Sequence, residues 1–398
     1  MPDTPTPGPL AGIRVLDLSA VVSGPLCTQL LGDLGADVVK VETPRGDSMR
    51  IAGWPIRGGV TPLFAQVNRN KRGIVLDLKV PAAQDAARRL ARAADVLVEN
   101  YRPGVAERLG LGYEQLAAEN PRLIYVAVSG FGPESPYRDL PAYDMVIQAL
   151  TGAAWIQGGD RPALVRSLVA DKTSALTATW ATLAAIIARD RGDGRGQRVD
   201  VPMLDAFASF MLPDLLGRET LLPPEPSPPP FDMANLYRSW ETADGFVAMI
   251  VLEDHQFEAL CHVLERDDLL ADERCNNILA RILNAETLFA ELGDELRQWK
   301  TADLVERARR FGAPLAPIND VAGFLADRHV RESGTVFEAE HAAAGRMRLI
   351  RHPARFGRSA TPVRRLAPQL GEHTEEVLRE AGFDDAGLAA LRAAGALG

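Results

Sequence analysis

The stretch that decides the fold runs from Ile13-Arg14-Val15-Leu16-Asp17-Leu18 to Val38-Val39-Lys40-Val41-Glu42. Both ends are short apolar runs of the kind that form buried strands. Between them, Gly24-Pro25 opens a helix with leucines on one face, because proline is favoured in the first helical turn. A strand, a helix and a strand in this order predict two parallel strands joined by a right-handed crossover.

The same alternation continues along the N-terminal half of the chain. It predicts strands at 73–78, 95–99, 123–129 and 198–201, and helices at 82–93, 113–119, 144–150, 174–189 and 203–215. Strands that alternate with helices are typical of an open, doubly wound parallel sheet. We therefore predict an α/β fold with a Rossmann-like large domain.

A proline-rich run interrupts the chain after this half. The run Pro223-Pro224-Glu225-Pro226-Ser227-Pro228-Pro229-Pro230 excludes a helix or a central strand and indicates an extended linker. A chain of 398 residues is also long for a single core. The predicted organisation is 1–222 as the first part of the large domain, 223–235 as the linker, 236–318 as a smaller α+β domain, and 319–398 as the remaining segment.

The composition limits the classes of function. The chain is 46% hydrophobic and 24% charged, as is usual for a globular protein, and its net charge of −9 argues against general binding to nucleic acids or anionic membranes. Three widely spaced cysteines indicate a reducing compartment, and the six histidines show no metal-ligand spacing. No membrane span or signal peptide is recognised in the sequence, so a cytoplasmic protein is predicted.

Asp171 is the candidate catalytic residue. It stands where the apolar run Leu168-Val169-Ala170 meets an almost uncharged helix, so its carboxylate is expected to be short, fixed and next to a buried wall. Covalent catalysis by a carboxylate requires such a setting. A helix N-cap explains the same residue equally simply, because aspartate is favoured at that position.

Four cations are expected near the sheet edge where ligands of open α/β folds bind. They are Lys71, Arg72, Arg102 and Arg108, and basic groups there are suited to phosphates. Asn100 and Tyr101 precede Arg102 and could grip a nucleotide. An ordinary solvated turn accounts for the same residues. Likewise, Asp144 after Tyr143 could be no more than another N-cap.

Several common site types lack their motifs. No Gly-x-Ser-x-Gly elbow and no P-loop motif is present, which argues against a serine hydrolase and a P-loop enzyme. The first β-α turn, Ser19 to Pro25, contains one glycine where a dinucleotide-binding turn needs three. Glu42 alone, in the place of a ribose-binding acid, is weak support for NAD binding.

A set of segments spread over nearly the whole chain carries a resemblance to a known family. They are LAGIRVLDL (10–18), GP (24–25), LGADVVKVE (34–42), NRNKR (68–72), VENYRPG (98–104), SGFG (129–132), GRGQ (194–197) and LGEHT (370–374). In this order they closely resemble the family III CoA-transferases, the CaiB/BaiF family. The resemblance implies an interlocked homodimer in which both chain ends build the large domain. It implies no tightly bound cofactor and no metal, with coenzyme A entering as part of the substrate.

The resemblance also implies roles for individual residues. Asp171 corresponds to the family's catalytic aspartate, which forms a mixed anhydride and then an aspartyl-CoA thioester while CoA moves from an acyl-CoA to an acid. The positions that match CoA contacts are Val21, Lys71, Arg72, Asn100, Tyr101 and Arg108, and Arg102 is added for its charge. Tyr143, Asp144 and Gly130 are expected to line the active site.

Two rival functions stay open. The 2-methylacyl-CoA racemases resemble the same family and use a histidine where this chain has Tyr143, and a phenol with a pKa near 10 is a poor base at neutral pH. A protein that binds CoA without turnover is the other rival. On the substrate, the formyl- and oxalyl-CoA branch carries a run of glycines that is not found between Asn235 and Leu252. A larger dicarboxylate or a branched acid is therefore expected, with Arg166 or Lys172 as a possible partner.

Overall fold

The central feature of the fold is a parallel sheet of six strands. The structure is a computed structural model that describes residues 7–158, 160–223 and 236–397. The strands are β1 Arg14–Asp17, β2 Asp37–Glu42, β3 Lys71–Val75, β4 Val96–Glu99, β5 Ile124–Ser129 and β6 Arg198–Pro202. Their spatial order is β3-β2-β1-β4-β5-β6 and every neighbouring pair is parallel. This is the strand order of the Rossmann fold, so the predicted fold class is confirmed.

The helices of this half lie between the strands and around them. They are α1 Ser23–Asp33, α2 Pro62–Val67, α3 Pro81–Arg92, α4 Val105–Arg108, α5 Tyr113–Glu119, α6 Asp144–Leu150, α7 Ala153–Gly158, α8 Val169–Arg191 and α9 Met203–Met211. A short 3-10 helix, Ser48–Arg50, follows β2.

The sheet is buried on both faces, because successive side chains of a strand point to opposite sides. Val15 of β1 packs into a core with α1, α8 and α9, whereas Leu16 packs into a second core with α3 and α5. The second core also contains Val377 and Leu388 from two C-terminal helices, α16 Thr374–Glu380 and α17 Asp385–Ala393. Both ends of the chain therefore build this part of the molecule, as expected.

The described residues form two compact units, Met1–Leu216 with Gly334–Gly398, and Gly217–Ser333. The second unit has an antiparallel sheet of three strands, and its own core includes Trp240 and Leu292. Its elements are the 3-10 helices Gly217–Thr220 and Asp267–Ala271, the strands β7 Trp240–Glu241, β8 Phe246–Met249 and β9 Leu315–Pro317, and the helices α10 Asp254–Leu264, α11 Ile278–Leu283, α12 Ala285–Leu296, α13 Thr301–Phe311, α14 Val321–Ala326 and α15 Arg328–Ser333. The hairpin β10 Val336–His341 and β11 Gly345–Ile350 belongs to the first unit.

Some predicted boundaries are wrong. β3 begins at Lys71 and ends at Val75, rather than spanning 73–78, and α9 ends at Met211 rather than at 215. Helix α8 begins at Val169, five residues before the predicted start, because Val169 and Ala170 continue its apolar face into the core. The predicted linker lies outside the described residues except for Pro223.

Within the described ranges, no helix is long and apolar enough to cross a membrane.

Candidate active site

The candidate site lies where the order of the strands reverses, at the carboxyl ends of β1 and β4, the place where open α/β sheets bind ligands. The loops after these two strands are joined by the side-chain amide of Asn100. Its oxygen accepts a hydrogen bond from Ala20 N at 2.9 Å, and its nitrogen donates to Ala20 O at 2.7 Å. Asn100 thus fixes the loop after β1.

The loop after β1 has little conformational freedom. Val21 adopts a φ of 72°, which is unusual for a β-branched residue and costs about 1–3 kcal/mol. Its N–H donates to Asp47 Oδ1 at 3.2 Å, which helps to hold that conformation. A Cβ at Gly24 would overlap the Ser19 side chain, so glycine is required for α1 to start this close to β1.

A buried group of charges lies under the same loop. Asp17 Oδ2 is 2.9 Å from Lys71 Nζ, and Lys40 Nζ is 3.0 Å from Asp47 Oδ2, with all four side chains fully enclosed. Lys40 also donates to Ser19 O at 2.8 Å. Burial alone would raise the pKa of the Asp17 carboxyl, but the two ammonium groups lower it to about 2. Asp17 therefore stays ionised at neutral pH, and these contacts hold the loop to the sheet.

Asp171 is the third residue of α8, and it is only 8% exposed. The N-cap position belongs to Leu168, which makes no side-chain capping bond. The expectation that Asp171 is the N-cap is therefore wrong, because the helix starts earlier than the sequence pattern suggested. Its carboxylate instead extends towards Ser23, at the start of α1.

The carboxyl of Asp171 is less acidic than an ordinary aspartate. Burial raises its pKa, the negative charge of Asp144 raises it further, and a hydrogen bond from the Ser23 hydroxyl lowers it in part, to give a value of about 6. At neutral pH the group is still mostly ionised, so it combines charge with more basicity than an exposed aspartate.

Asp144 contacts the same helix end. It is 4% exposed, and its Oδ2 accepts a hydrogen bond from the backbone N of Asp171 at 3.0 Å. Tyr143 is the N-cap of α6 and Asp144 is its first residue, so Asp144 does not cap its own helix. It satisfies one of the free N–H groups at the start of α8 instead.

The other residues expected to line the site are more open. The Tyr143 side chain is 64% exposed, with no pairing to Asp171. Gly130, directly after β5, comes so close to Ala142 that a Cβ at position 130 would overlap the alanine methyl group. Glycine at 130 therefore lets the segment before α6 pack against the end of β5.

Lys71 and Arg72 lie elsewhere than expected. They are the first two residues of β3, so they start at the amino edge of the parallel sheet and not at the carboxyl edge. Lys71 donates to Asp17, to Pro25 O and to Asn68 Oδ1 at 2.8–2.9 Å, which uses all three of its N–H donors. Arg72 is bound by three carboxylates, those of Asp37, Glu376 and Glu380. Although the Lys71 ammonium reaches Asp17 at the end of β1, it is fully enclosed there, so neither cation is presented to a ligand as the sequence pattern suggested.

Tyr101, Arg102 and Arg108 follow β4 at the expected edge. Tyr101 is half-buried, whereas Arg102 and Arg108 are exposed. A Cβ at Gly104 would lie 3.1 Å from Arg108 Nη1, so the guanidinium folds back over this turn. Of the four cations predicted at this edge, Arg102 and Arg108 are therefore the two that are exposed to solvent in the described part of the chain.

Sequence reasoning missed three buried polar groups of this region. Ser23 faces Asp171, and Gln148 binds Asp144. Gln148 follows Asp144 by one helical turn, and this spacing in the sequence could have indicated the contact between them. Glu99 ends β4 with 6% exposure, and burial raises its pKa to about 7, although Tyr101 N donates to it at 2.6 Å. Nothing in the strand pattern distinguishes Glu99 from a surface acid.

The chain matches known proteins over nearly its whole length. The family model for CoA-transferase family III matches residues 10–374. The chain is 33% identical over 387 residues to the succinate–glutarate CoA-transferase of Agrobacterium fabrum, covering 94% of this chain and 95% of that protein. It is 32% identical over 410 residues to the formyl-CoA:oxalate CoA-transferase of Escherichia coli O157:H7, covering 96% of this chain and 98% of that protein.

Among solved structures, a CaiB/BaiF family protein from Brucella suis superposes with a TM-score of 0.83 at 32% identity, over 94% of this chain and all of that one. The fold, the family match and the named relatives agree along almost the entire chain. The protein therefore belongs to CoA-transferase family III and is an enzyme of the CoA-transferase type.

Proposed function

We propose that the enzyme moves CoA from an acyl-CoA to a carboxylic acid through covalent intermediates on Asp171. The observation that carries the proposal is an aspartate, 8% exposed and with a pKa of about 6, at the start of an apolar helix. A carboxylate in this setting is ionised at neutral pH and is shielded from most of the water that would hydrolyse an intermediate.

The chemistry proceeds by four acyl substitutions. A carboxylate oxygen of Asp171 attacks the thioester carbonyl, and the CoA thiolate leaves, which gives a mixed anhydride. The thiolate then attacks the aspartyl carbonyl of the anhydride and releases the donor acid, so that Asp171 becomes a CoA thioester. The acceptor carboxylate attacks this thioester to form a second anhydride, and the thiolate finally attacks the acceptor's carbonyl. The product acyl-CoA leaves and the Asp171 carboxylate is restored.

We propose that CoA binds over the loops that follow β1 and β4. Val21, Asn100, Tyr101, Arg102 and Arg108 support this location, because they lie at the strand ends where such ligands bind. Asn100 acts by shaping the loop, and the two exposed arginines are suited to the phosphates. Lys71 and Arg72 are left out of the proposed site, since their donors are used within the protein.

The acceptor and donor acids are proposed to be dicarboxylates. Succinate, glutarate and oxalate appear in the names of two relatives whose identities to this chain are 33% and 32%, so identity alone does not choose among these acids. Arg166 and Lys172 are exposed on either side of the start of α8, and Lys172 Nζ lies 2.9 Å from Ser167 Oγ. We propose that one of these cations holds the second carboxylate.

We also propose a homodimer, as the family resemblance implies. Leu176, Trp180 and Ile187 form an apolar stripe on α8 that is 52–62% exposed in the single chain. A second copy of the chain would cover such a stripe. Light scattering coupled to gel filtration tests this, and a monomer at micromolar concentration would contradict it.

The test of the function is a turnover assay with wild type and Asp171→Asn. A panel of succinyl-, glutaryl-, oxalyl- and 2-methylacyl-CoA donors is combined with the matching acids, and each new acyl-CoA is quantified by mass spectrometry. We expect transfer between dicarboxylates and none by the variant. The same samples in D2O report the racemase alternative: deuterium entering the α position without any acceptor acid would favour it over CoA transfer.

A further inference from the structure

Two buried polar side chains of α6 bind the segment that leads into α8. Asp144 and Gln148 lie one helical turn apart, and they are 4% and 2% exposed. Gln148 Nε2 donates to Asp144 Oδ1 at 2.5 Å, while Asp144 Oδ2 accepts from Asp171 N at 3.0 Å. A continuous path of hydrogen bonds therefore runs from Gln148 to the backbone of Asp171.

Gln148 also pairs with the segment before α8 as a neighbouring strand would. Its Oε1 accepts from Val165 N at 2.9 Å, and its Nε2 lies 3.2 Å from both Val165 O and Ser167 O. Val165 to Ser167 has no partner in the main sheet, and the amide of Gln148 adds to the local backbone bonds from Ser167 N to Val165 O and from Val169 N to Ser167 O, both 2.8 Å. The position at which α8 starts thus depends on a side chain from another helix.

We infer that Asp144 and Gln148 are positioning residues for CoA transfer, which fix the start of α8 so that the Asp171 carboxylate faces Ser23. This inference rests on the proposed function of Asp171. Asp144 bonds the backbone N of Asp171, and Gln148 bonds Asp144 and the segment before α8. They act through the backbone of the residue that reacts.

The charge of Asp144 has a second effect. The single oxygen of asparagine would accept the Asp171 N–H as well, while its NH2 group would replace the oxygen that accepts from Gln148 Nε2. A carboxylate interacts favourably with the helix start, but it also lies beside the Asp171 carboxyl and makes that group more basic. On α1, the group that faces Asp171 is the uncharged Ser23 hydroxyl, and within the described residues Asp144 is the charged group that acts on Asp171.

The charge is tested with Asp144→Asn in the full-length protein. In a sample labelled with carboxyl-13C aspartate, the signal that disappears in Asp171→Asn identifies Asp171, and its titration is followed by NMR. Wild type is expected to titrate near pH 6, and Asp144→Asn at a lower pH. The acid limb of kcat/KM is expected to move in the same direction. The control is Asp205→Asn, which alters an exposed aspartate at the same third position of another helix, α9.

The positioning role is tested separately with Gln148→Leu, which keeps the size of the side chain and removes its hydrogen bonds. Its kcat is expected to fall by about 10- to 100-fold with a smaller change in KM for acyl-CoA, because small misplacements of a reacting group have effects of this size. An unchanged Asp171 titration in Asp144→Asn, or an unchanged kcat in Gln148→Leu, overturns the inference. Full turnover by Asp171→Asn would instead end the proposed function, so the two failures are distinguishable.

Discussion

Replacing Asp171 by asparagine should make the protein more stable, and more so as the pH rises. The folded protein raises the pKa of this carboxyl from its usual 3.8 to about 6. An acid with a raised pKa binds its proton more tightly in the folded state than in the unfolded one. Its ionised form therefore destabilises the fold, and the effect is absent below pH 3.8 and complete above pH 6.

The magnitude follows from the size of the shift. One pKa unit corresponds to about 1.4 kcal/mol, so the change from 3.8 to about 6 corresponds to about 3 kcal/mol at pH 8. At pH 5 the same linkage leaves about 1.6 kcal/mol, because the unfolded carboxyl is already ionised there while the folded one is not. Asparagine carries no charge, and it should recover most of this free energy.

The assay is urea unfolding of wild type and Asp171→Asn between pH 5 and 8, followed by circular dichroism. Subtracting the two free energies of unfolding at each pH removes the contribution of other titrating groups, including Glu99, whose pKa is about 7. Asp205→Asn is the matched control, since Asp205 is exposed at the equivalent helical position. The reasoning is refuted if Asp171→Asn is no more stable than wild type at pH 8, or if the difference does not grow with pH.

Three more predictions concern the surrounding residues. Lys71→Met should lower the free energy of unfolding, measured in urea, by about 3–5 kcal/mol, because the buried Asp17 carboxylate loses its enclosed partner. A loss below about 1 kcal/mol would show that this ion pair does not stabilise the fold. Gly24→Ala should abolish activity at saturating acyl-CoA, because the new methyl group displaces Ser19 and the start of α1. The far-ultraviolet circular dichroism spectrum should be unchanged. Full activity would contradict the close approach of Gly24 to Ser19. The double variant Arg102→Ala, Arg108→Ala should raise KM for acyl-CoA by about tenfold or more at low salt, with little change in kcat. Arg309→Ala, which alters another exposed arginine, should leave KM unchanged. An unchanged KM in the double variant would remove both arginines from the proposed CoA site.

The parallel sheet could be predicted because its information is local. Each strand from β1 to β5 contains a short apolar run near turn residues, and this pattern is visible without knowledge of partners, although it misplaced the start of β3, which begins with Lys71 and Arg72. Asp171 could be recognised for the same reason, since an acid that meets a long apolar helix is unusual wherever the helix starts. The exact start of α8 could not, because it depends on bonds from Gln148, which lies 17 and 19 positions from its partners.

The contacts of the charged groups were the least predictable feature. Lys71 lies 54 positions from Asp17, and Arg72 lies 304 positions from Glu376, so neither ion pair leaves a signal in the local sequence. A cation before a strand looks the same in sequence whether it faces solvent or an enclosed carboxylate. The pKa of Asp171 has the same origin, since Asp144 and Ser23 reach it from other helices.

The central claim is that the Asp171 side chain carries the transferred group, and chemical trapping tests it most directly. The enzyme is incubated with a dicarboxylic acyl-CoA, quenched with hydroxylamine, digested, and sequenced by tandem mass spectrometry. We predict a hydroxamate on Asp171 that forms only when acyl-CoA is present. A hydroxamate on any other residue, or none while turnover proceeds, would contradict the account.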